Sequence, residues 1–254
     1  MKDRIQSIGL PLLVAVAFVT GWHFAVKFSG TDIFPTPLMV VAGLVELAQK
    51  GVLVKYIVAS LFRVFAGFLL AVVIGIPLGL LLGWFTPLMR AFNPAIQVLR
   101  PISPIAWIPV AILWFGVGDL SAVFLIYLAS FFPLTVAAMV AVRDVDAVHL
   151  RAGVNFGMSR AQLIFGVVVP SVVPQLIVAM RIALGIAWLV VVAAEMIAVS
   201  SGLGFLIVEA RNAGNRYDLV VAGMLLIGIV GLALDLMMRR LERLDSVRWG
   251  YAEP

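Results

Sequence analysis

The side chains that most often carry out chemistry are scarce in this chain of 254 residues. Cysteine is absent, and the two histidines, His23 and His149, lie far apart. The sequence therefore excludes a thiol nucleophile, a disulfide framework and an iron–sulfur cluster, and it disfavours a metal site built from several histidines. It also lacks a G-x-x-x-x-G-K-[ST] segment, so no loop of this kind cradles the phosphates of ATP. We expect no catalytic residue, metal site or cofactor on this chain.

Two charged residues, Glu195 and Arg63, stand out because each lies in or beside a long apolar run. A carboxylate within lipid is costly, so Glu195 is expected to face protein or water. Arg63 is expected at a similar depth and could form a structural ion pair with it. Glu195 could instead belong to a gate or a translocation path, but like-charge repulsion disfavours it as a direct ligand of an anion. If the two residues pair, exchanging their charges should restore activity that either single variant loses.

Further polar and aromatic residues of the apolar runs are weaker candidates. Arg181 either reaches the inner membrane interface or lines the inner mouth of a path for an anion. Asp235 is expected to pair with Arg239, four residues further along the same helix. Trp and Tyr often serve only as interface anchors, although some of these side chains could line a path. The candidates for a path or gate are Glu195, Arg63, Trp188, Ser130 and Tyr127.

Glycines recur at a helical spacing in one apolar run. Gly75, Gly79 and Gly83 are each four residues apart. They predict a smooth helix face that permits close packing against another helix. Pro77 lies on the same run and could kink it.

The composition determines what surrounds these residues. Of the chain, 63% is hydrophobic and 12% is charged, about half the usual charged share of a soluble domain, and the mean hydropathy is +1.15. A soluble fold of this length could not hide so much apolar surface, which excludes an ordinary cytosolic enzyme, a secreted disulfide scaffold and a disordered regulator. The net charge of +5 comes from basic residues between apolar runs, so membrane topology explains it better than nucleic-acid binding. The sequence predicts an all-α polytopic membrane protein.

About 20 apolar residues cross a bilayer as a helix, and the sequence offers six such runs within a single domain that covers residues 1–254. The first is expected to be a retained span rather than a signal peptide, because it is long and no small-x-small cleavage site closes it. The segment 37–62 is moderately apolar with interleaved charges, so it is expected to lie as a helix at the outer interface. The predicted spans cover about residues 8–26, 64–85, 101–118, 120–142, 175–199 and 219–238.

Six spans place both termini on the same side of the membrane. Lysines and arginines are more numerous on that side than on the other, which indicates cytoplasmic termini. The basic residues assigned to that side are Lys2, Arg4, Arg90, Arg100, Arg143, Arg151, Arg160, Arg239, Arg240, Arg243 and Arg248.

The predicted cytoplasmic segment 144–174 carries clear helix boundaries. Asp146 can cap a short helix, and Gly157 can end it in a left-handed conformation. Ser159 can cap a second helix, which Val169-Pro170 is expected to end before Pro174 begins the next span. A compact element of this kind is either a docking surface for another protein or a structured loop with no partner.

The same segment resembles the EAA loop of ABC importer permeases. The family pattern is Glu-Ala-Ala, three residues, Gly, nine residues and Ile-x-Leu-Pro, and the spacing from Leu150 to Pro170 follows it throughout. Arg151 stands in place of the family Glu, and Gly153 in place of its second Ala. The positions that match by identity or type are Ala152, Gly157, Val167, Val169 and Pro170.

The resemblance extends from about residue 34 to residue 250 and is closest to permeases of the nitrate, sulfonate, taurine and bicarbonate importers. Several further motifs in the right order carry it. They are Pro35-Thr36-Pro37, Ser60-Leu61-Phe62-Arg63, Gly75-Ile76-Pro77-Leu78-Gly79, Arg100-Pro101-Ile102, Ile108-Pro109, Leu113-Trp114-Phe115-Gly116, Ala193-Ala194-Glu195-Met196 and Ser201-Gly202-Leu203-Gly204.

The resemblance implies a type I ABC importer permease: six transmembrane helices and a cytoplasmic coupling helix that docks on an ATPase subunit. It implies two ATPase subunits that bind ATP and Mg²⁺, a periplasmic or lipid-anchored binding protein, and a second permease copy in the bacterial inner membrane. A small oxyanion or organic anion would be the substrate. The implied docking residues are Leu150, Arg151, Ala152, Gly153, Asn155, Phe156, Gly157 and Pro170.

Two other classes of function are compatible with a polytopic membrane protein. A stand-alone secondary transporter or channel would be expected to carry inverted repeats, broken helices and intramembrane charge clusters, and the sequence contains no visible repeat. A membrane enzyme would need a nucleophile or a metal-binding set, which two isolated histidines do not supply.

Overall fold

The computed structural model describes residues 2–30, 34–212 and 214–242, and within them the chain is helical with no strand. Two short helical turns, a 3-10 turn at Pro104–Trp107 and a π-helical turn at Ile164–Val168, join longer helices. The α-helices are α1 Lys2–Ser29, α2 Pro37–Gln49, α3 Val52–Trp84, α4 Thr86–Leu99, α5 Ile108–Phe115, α6 Asp119–Arg143, α7 Ala147–Asn155, α8 Arg160–Leu163, α9 Val169–Ala198, α10 Leu203–Asn212 and α11 Tyr217–Glu242.

Five stretches of helix within the described residues are long and apolar enough to cross a membrane. They are Gly9–Ser29, Val52–Trp84, Asp119–Arg143, Arg160–Ala198 and Tyr217–Arg240, and a bent pair of helices raises the number to six. The predicted spans 8–26, 120–142 and 219–238 correspond to three of these. Residues 243–254, which include Arg243 and Arg248 of the charge count, lie outside the described residues.

The predicted continuous span at 101–118 is wrong in its shape. Thr86–Leu99 and Pro104–Phe115 form a pair bent by 86°. Pro101 and Pro104 explain the break, because proline lacks a backbone N–H and disfavours helical geometry in the residue before it. The crossing element therefore begins about fifteen residues earlier than predicted, and its break falls between Leu99 and Pro104.

The boundary of the second span is also wrong. The segment 37–62 does not lie as one helix at the interface, because Gly51, with φ +68°, separates α2 from α3. The apolar run then continues from Val52 to Trp84 with Pro77 as its only proline. The span therefore includes residues 52–63, which lie before the predicted start at residue 64. Thr36 caps α2 by accepting a hydrogen bond from the Met39 N–H, and Pro37 occupies its first turn.

The glycines of α3 pack this helix against α6. A Cβ atom added to Gly67 would lie 2.7 Å from the Ile126 side chain, and one added to Gly83 would lie 2.7 Å from the Met139 carbonyl oxygen. Gly75 and Gly79 face Phe131, Thr135 and Ala138 in the same way. Only a helix face without side chains allows the two backbones to approach this closely, so the predicted packing role of these glycines is confirmed.

Proline does not interrupt the chain where it enters the fifth span. The sequence predicts a helix end at Pro170 and a new start at Pro174, but Arg160–Ala198 forms one membrane-length helical stretch. The π-helical turn Ile164–Val168 directly precedes Val169 and Pro170. Such a wider turn accommodates a residue that cannot donate to the preceding turn. The predicted start of the fifth span near residue 175 is therefore too late.

Candidate functional site

A buried ion pair joins α3 to α9 near one end of the bundle. The Arg63 Nη1 lies 2.6 Å from the Glu195 Oε1, and the two side chains are 2% and 0% exposed. The sequence offered this pair as one interpretation, and the contact is present. Val64, Ile126 and Val191, each fully buried, belong to the surrounding core, so neither charge reaches lipid.

The second oxygen of Glu195 is held by α3 and by the first turn of α10. Its Oε2 accepts hydrogen bonds from the Ser60 hydroxyl and the Gly204 N–H, both at 2.9 Å. The Ser60 hydroxyl oxygen in turn accepts from the Leu203 N–H at 2.9 Å. These donors satisfy a carboxylate that has left water.

Gly202, just before α10, and Gly204, in its first turn, allow the backbone to lie directly on the carboxylate. Gly202 has φ +107°, and a Cβ atom there would collide with the carboxylate of Glu195. A Cβ atom on Gly204 would meet the Glu195 Cβ at 2.8 Å. The motif Ser201-Gly202-Leu203-Gly204 is therefore explained by backbone approach to Glu195.

Arg63 also contacts the start of α6 and the loop before α10. Its Nε and Nη2 lie 2.8 and 2.7 Å from the Asp119 Oδ1, and it donates to the Ser201 carbonyl and hydroxyl oxygens at 2.7 and 2.6 Å. We call Arg63, Glu195, Ser60, Asp119 and Ser201 the Arg63 cluster. It connects α3, the start of α6, the end of α9 and the loop that follows α9. No sequence pattern predicted the participation of Asp119.

The remaining path candidates do not join this cluster. Trp188 is 6% exposed, and its indole N–H donates to the Ile227 carbonyl of α11 at 3.0 Å, so it packs two helices together. Ser130 is fully buried on α6, and its hydroxyl has no partner among the described residues. Tyr127 is half-buried and packs against Phe131.

Two further ion-pair groups contain contacts that were not predicted. Arg181 of α9 contacts Asp235 of α11 at 2.7 Å, and Asp235 also makes the predicted pair with Arg239 at 2.8 Å. Between α2 and the start of α11, Arg216 binds Glu46 at 2.6 Å and Asp218 at 2.8 Å. The partners in the Arg181–Asp235 and Arg216–Glu46 pairs are far apart in the sequence, so no local spacing predicted them.

The pKa values in the second group follow from these contacts. Hydrogen bonds from Arg216 and from Lys50, which lies 2.6 Å from the carboxylate, lower the pKa of Glu46 from 4.5 to about 2. The hydrogen bonds to Asp218 and Glu46 raise the pKa of Arg216. The group stays charged at neutral pH and ties α2 to α11.

The segment 144–174 begins with a short helix whose two ends are both capped. The Asp146 carboxylate accepts from the Val148 N–H at 2.8 Å. At the other end Gly157 has φ +76°, its N–H donates to the Val154 carbonyl at 2.9 Å, and the Met158 N–H donates to the Gly153 carbonyl at 3.0 Å. This pair of bonds is a Schellman motif, so both predicted boundaries of α7 are confirmed.

A capping box starts the next helix immediately afterwards. The Ser159 N–H donates to the Gln162 side-chain oxygen at 2.8 Å, and the Gln162 N–H donates back to the Ser159 hydroxyl at 3.4 Å. Leu163 then packs over Gly153, which is buried. A methyl group at position 153 would displace the end of Leu163, which explains a glycine at the position of the family's second Ala.

The rest of α7 presents exposed side chains. Phe156 is 87% exposed and Val154 is 59% exposed, although both are apolar. Arg151, Ala152 and Asn155 are exposed as well, while Leu150 is half-buried against the end of α6 and α9. An exposed phenylalanine on a rigidly capped helix is typical of a protein interaction surface.

Comparisons with known proteins agree with this arrangement. A chain of the MetNI methionine ABC transporter, solved in inward-facing conformations, has a similar fold, with a TM-score of 0.67, 20% identity, and coverage of 77% of this chain and 97% of that one. The taurine transport system permease protein TauC of Escherichia coli is 35% identical over 91% of this chain and 86% of its own length.

Two further relatives have comparable similarity. The putative aliphatic sulfonates transport permease protein SsuC of Bacillus subtilis is 34% identical over 94% of this chain and 86% of its own length. The nitrate import permease protein NrtB of Synechococcus elongatus is 32% identical over 93% of this chain and 90% of its own length.

The apolar helices and these relatives define a multi-pass membrane transport permease of the ABC importer class. The profile of the binding-protein-dependent transport system inner membrane components matches residues 71–244. The chain belongs to this family, as a permease subunit in an inner membrane.

Proposed function

We propose that this permease imports a small oxyanion or organic anion, of the nitrate, sulfonate, taurine or bicarbonate type, which a separate binding protein delivers. The substrate class is supported by relatives named for taurine, aliphatic sulfonates and nitrate, each at least 32% identical. Two ATPase subunits would bind the ATP and Mg²⁺ and drive the cycle. Residues 1–254 would form one transmembrane domain with both termini in the cytoplasm.

The observation that carries the coupling part of the proposal is the geometry of α7. A helix that transmits motion must not fray, and α7 has a carboxylate cap at one end and a Schellman motif at the other. Leu150 anchors it to the bundle, while Phe156 and Arg151 are exposed for contact. Docking on the ATPase would bury the phenylalanine ring, which is 87% exposed.

Arg151 gives this docking surface a different charge from that of the family pattern. Its side chain forms no ion pair within the described residues, and it lies on the exposed side of α7. The ATPase groove that receives it would therefore present an acidic or neutral surface at this position. Pro170 lies beyond the π-helical turn and would serve as part of the support of the segment.

A second copy of the permease would complete the translocation path along a two-fold axis. Five or six spans in one chain form only part of a pore wall, and a symmetric pair supplies the other part. The chain would then reside in the bacterial cytoplasmic membrane as a homodimer with two ATPase subunits and a periplasmic or lipid-anchored binding protein.

Co-purification followed by reconstitution tests the proposal. The tagged permease, expressed with its ATPase subunit, should elute as one complex. Proteoliposomes containing this complex should import labelled taurine or nitrate when ATP and the binding protein are present. Vanadate or omission of ATP should stop the import. Transport by the permease alone, unaffected by vanadate, would favour a secondary transporter or channel instead.

A further inference from the structure

The break in the third crossing element lies in the middle of the bundle. A cavity of about 190 Å³ adjoins it, lined by Arg100, Trp107, Ala129, Phe132, Pro133 and Ile186 among others. Ala129 and Pro133 occupy the middle of α6, which runs from Asp119 to Arg143, and Ile186 occupies the middle of α9. Arg100 therefore lies beside the middle of these two spans, whereas the charge count predicts it in an inner loop.

Arg100 differs from Arg63 and Arg181 in its surroundings. Within the described residues it forms no ion pair, whereas Arg63 faces Glu195 and Arg181 faces Asp235. The cavity beside it has no acidic residue in its lining. An unneutralised guanidinium at this depth is costly unless it faces water or an anion.

The helix break leads to the same conclusion. Non-helical backbone at membrane depth is tolerated where it lines a water-filled cavity or is buried in protein. The bend opens onto the cavity, which Arg100, Ile102 and Pro104 help to line. Secondary transporters place substrate sites at such discontinuous helices near the midplane, and the same physical argument applies to this break. The charge, the cavity and the break thus coincide at one position.

We propose that Arg100 binds the transported anion at this cavity while it crosses the membrane. The inference rests on the proposed function and assigns a residue to it. A planar guanidinium donates two parallel hydrogen bonds to two oxygens of a nitrate, sulfonate or carboxylate group. The apolar walls contributed by Trp107, Phe132 and Ile186 strengthen this attraction by lowering the local dielectric constant. The volume suits a small oxyanion, since pockets for drug-sized ligands start at about 300 Å³.

The absence of cysteine from the chain allows the charge to be removed and restored after assembly. Arg100→Cys is prepared in the complex with the ATPase, reconstituted, and treated with methanethiosulfonates that attach an aminoethyl, a methyl or a sulfonatoethyl group. Labelled nitrate and labelled taurine are the probes, and mass spectrometry measures the extent of modification. Arg90→Cys, an exposed arginine of α4, is the matched control, and the parent complex treated with each reagent gives the background.

We expect Arg100→Cys to lower uptake by at least about tenfold, the effect of losing one charge-assisted hydrogen bond. ATP hydrolysis stimulated by the binding protein should stay within about twofold, because capture and coupling lie elsewhere. The aminoethyl adduct should restore uptake several-fold, while the methyl and sulfonatoethyl adducts should not, and Arg100→Lys should retain partial uptake. Arg90→Cys should transport as the parent does with every reagent.

Several results would overturn the assignment of Arg100. They are parental uptake by Arg100→Cys, equal recovery with the methyl adduct, a cysteine that no reagent reaches during turnover, and a joint loss of uptake and ATP hydrolysis that no adduct restores. Failure of the parent complex to import any of the anions with ATP would instead refute the proposed function itself. The parent measurement thus separates the two failures.

Discussion

Arg63 and Glu195 lie 2.6 Å apart with almost no exposure of either side chain, although one belongs to α3 and the other to the end of α9. The pair is stabilised by neutral donors as well as by charge, because Ser60 and Gly204 donate to the carboxylate. Asp119, whose side chain is 60% exposed, binds the outer side of the same guanidinium. The Arg63 cluster thus extends from the core of the bundle to its surface.

Removing the carboxylate should destabilise the permease strongly. Glu195→Ala leaves Arg63 buried with Asp119 as its remaining carboxylate partner, and breaking one side of a buried ion pair costs about 3–5 kcal/mol. Glu195→Gln should cost less, because its amide oxygen can still accept from Ser60 and Gly204. Chemical unfolding in detergent micelles measures both values. Glu209→Gln is the control, because this exposed carboxylate of α10 forms no ion pair among the described residues and its replacement amide oxygen can still accept from the Tyr56 hydroxyl. Equal stability of all three variants would refute a structural role for the pair.

Exchanging the two charges should fail to restore function, contrary to the expectation from the sequence. In the double variant Glu195→Arg with Arg63→Glu, the new arginine would face the donors of Ser60 and Gly204, and the new glutamate would face Asp119 and the Ser201 carbonyl. Donors would meet donors and acceptors would meet acceptors in a buried site. Uptake should therefore remain as low as in the single variants. Recovery of uptake in the double variant would show that the neutral partners contribute little.

Much of the fold could be predicted because it depends on local signals. Long apolar runs identify α6 and α11, and Asp146, Gly157 and Ser159 mark helix ends through their own backbone preferences. The break after Leu99 and the passage through Pro170 depend on what the neighbouring helices and turns accommodate. A proline predicts a disturbance of a helix, but only packing decides whether it becomes an 86° bend or a π-helical turn.

The candidate site was predictable to a similar extent. Glu195 and Arg63 are identifiable as candidates because a charge within a membrane span is costly. The similar depth predicted for the two residues indicated that they could pair. The role of Asp119 could not be predicted, because it lies at the start of a helix among turn residues. An acidic residue is favourable there through its interaction with the helix dipole alone. Arg100 was assigned to a loop for a related reason: proline residues beside an arginine are typical of a connection between spans.

Filling the glycine face of α3 should separate it from α6. A Cβ atom on Gly79 would collide with the backbone carbonyl of Thr135 and lie 2.6 Å from the Ala138 Cβ, and backbone cannot move aside cheaply. Gly79→Ala should therefore cost about 1–3 kcal/mol of stability, as overpacked sites do. Gly228→Ala on α11, where a Cβ atom would meet nothing within 4 Å, should be neutral or slightly stabilising. Comparison of their unfolding midpoints in one detergent checks this, and equal midpoints would contradict the tight packing.

Acid should weaken the contact between α2 and α11 in a defined pH range. The pKa of Glu46 is about 2 in the folded protein, compared with 4.5 for a glutamate without these partners. The folded state therefore favours the charged carboxylate more than the unfolded state does. Its stabilising contribution is complete above about pH 4.5 and is lost as the pH falls towards 2. The difference in melting temperature between the parent and Glu46→Gln should be constant from pH 7 to 5 and should shrink below pH 4.5. Arg216→Gln removes the main cause of the shift and should move this loss to higher pH. A difference that does not change with pH would refute the linkage.

Replacing the glycine that ends α7 should uncouple ATP hydrolysis from transport. Gly157 has φ +76°, a conformation that costs an L-residue about 1–2 kcal/mol and a β-branched residue more. Gly157→Val should therefore weaken the Schellman motif and let the last turn of α7 fray, together with the exposed ring of Phe156. Since coupling free energies are typically of the order of 1–3 kcal/mol, uptake per ATP hydrolysed should fall by about fivefold or more. Gly166→Val, where a Cβ atom would meet nothing within 4 Å and φ is not positive, is the matched control. Paired measurements of uptake and ATP hydrolysis in the same proteoliposomes decide the outcome, and a normal transport ratio in Gly157→Val would show that α7 does not have to stay rigid for coupling.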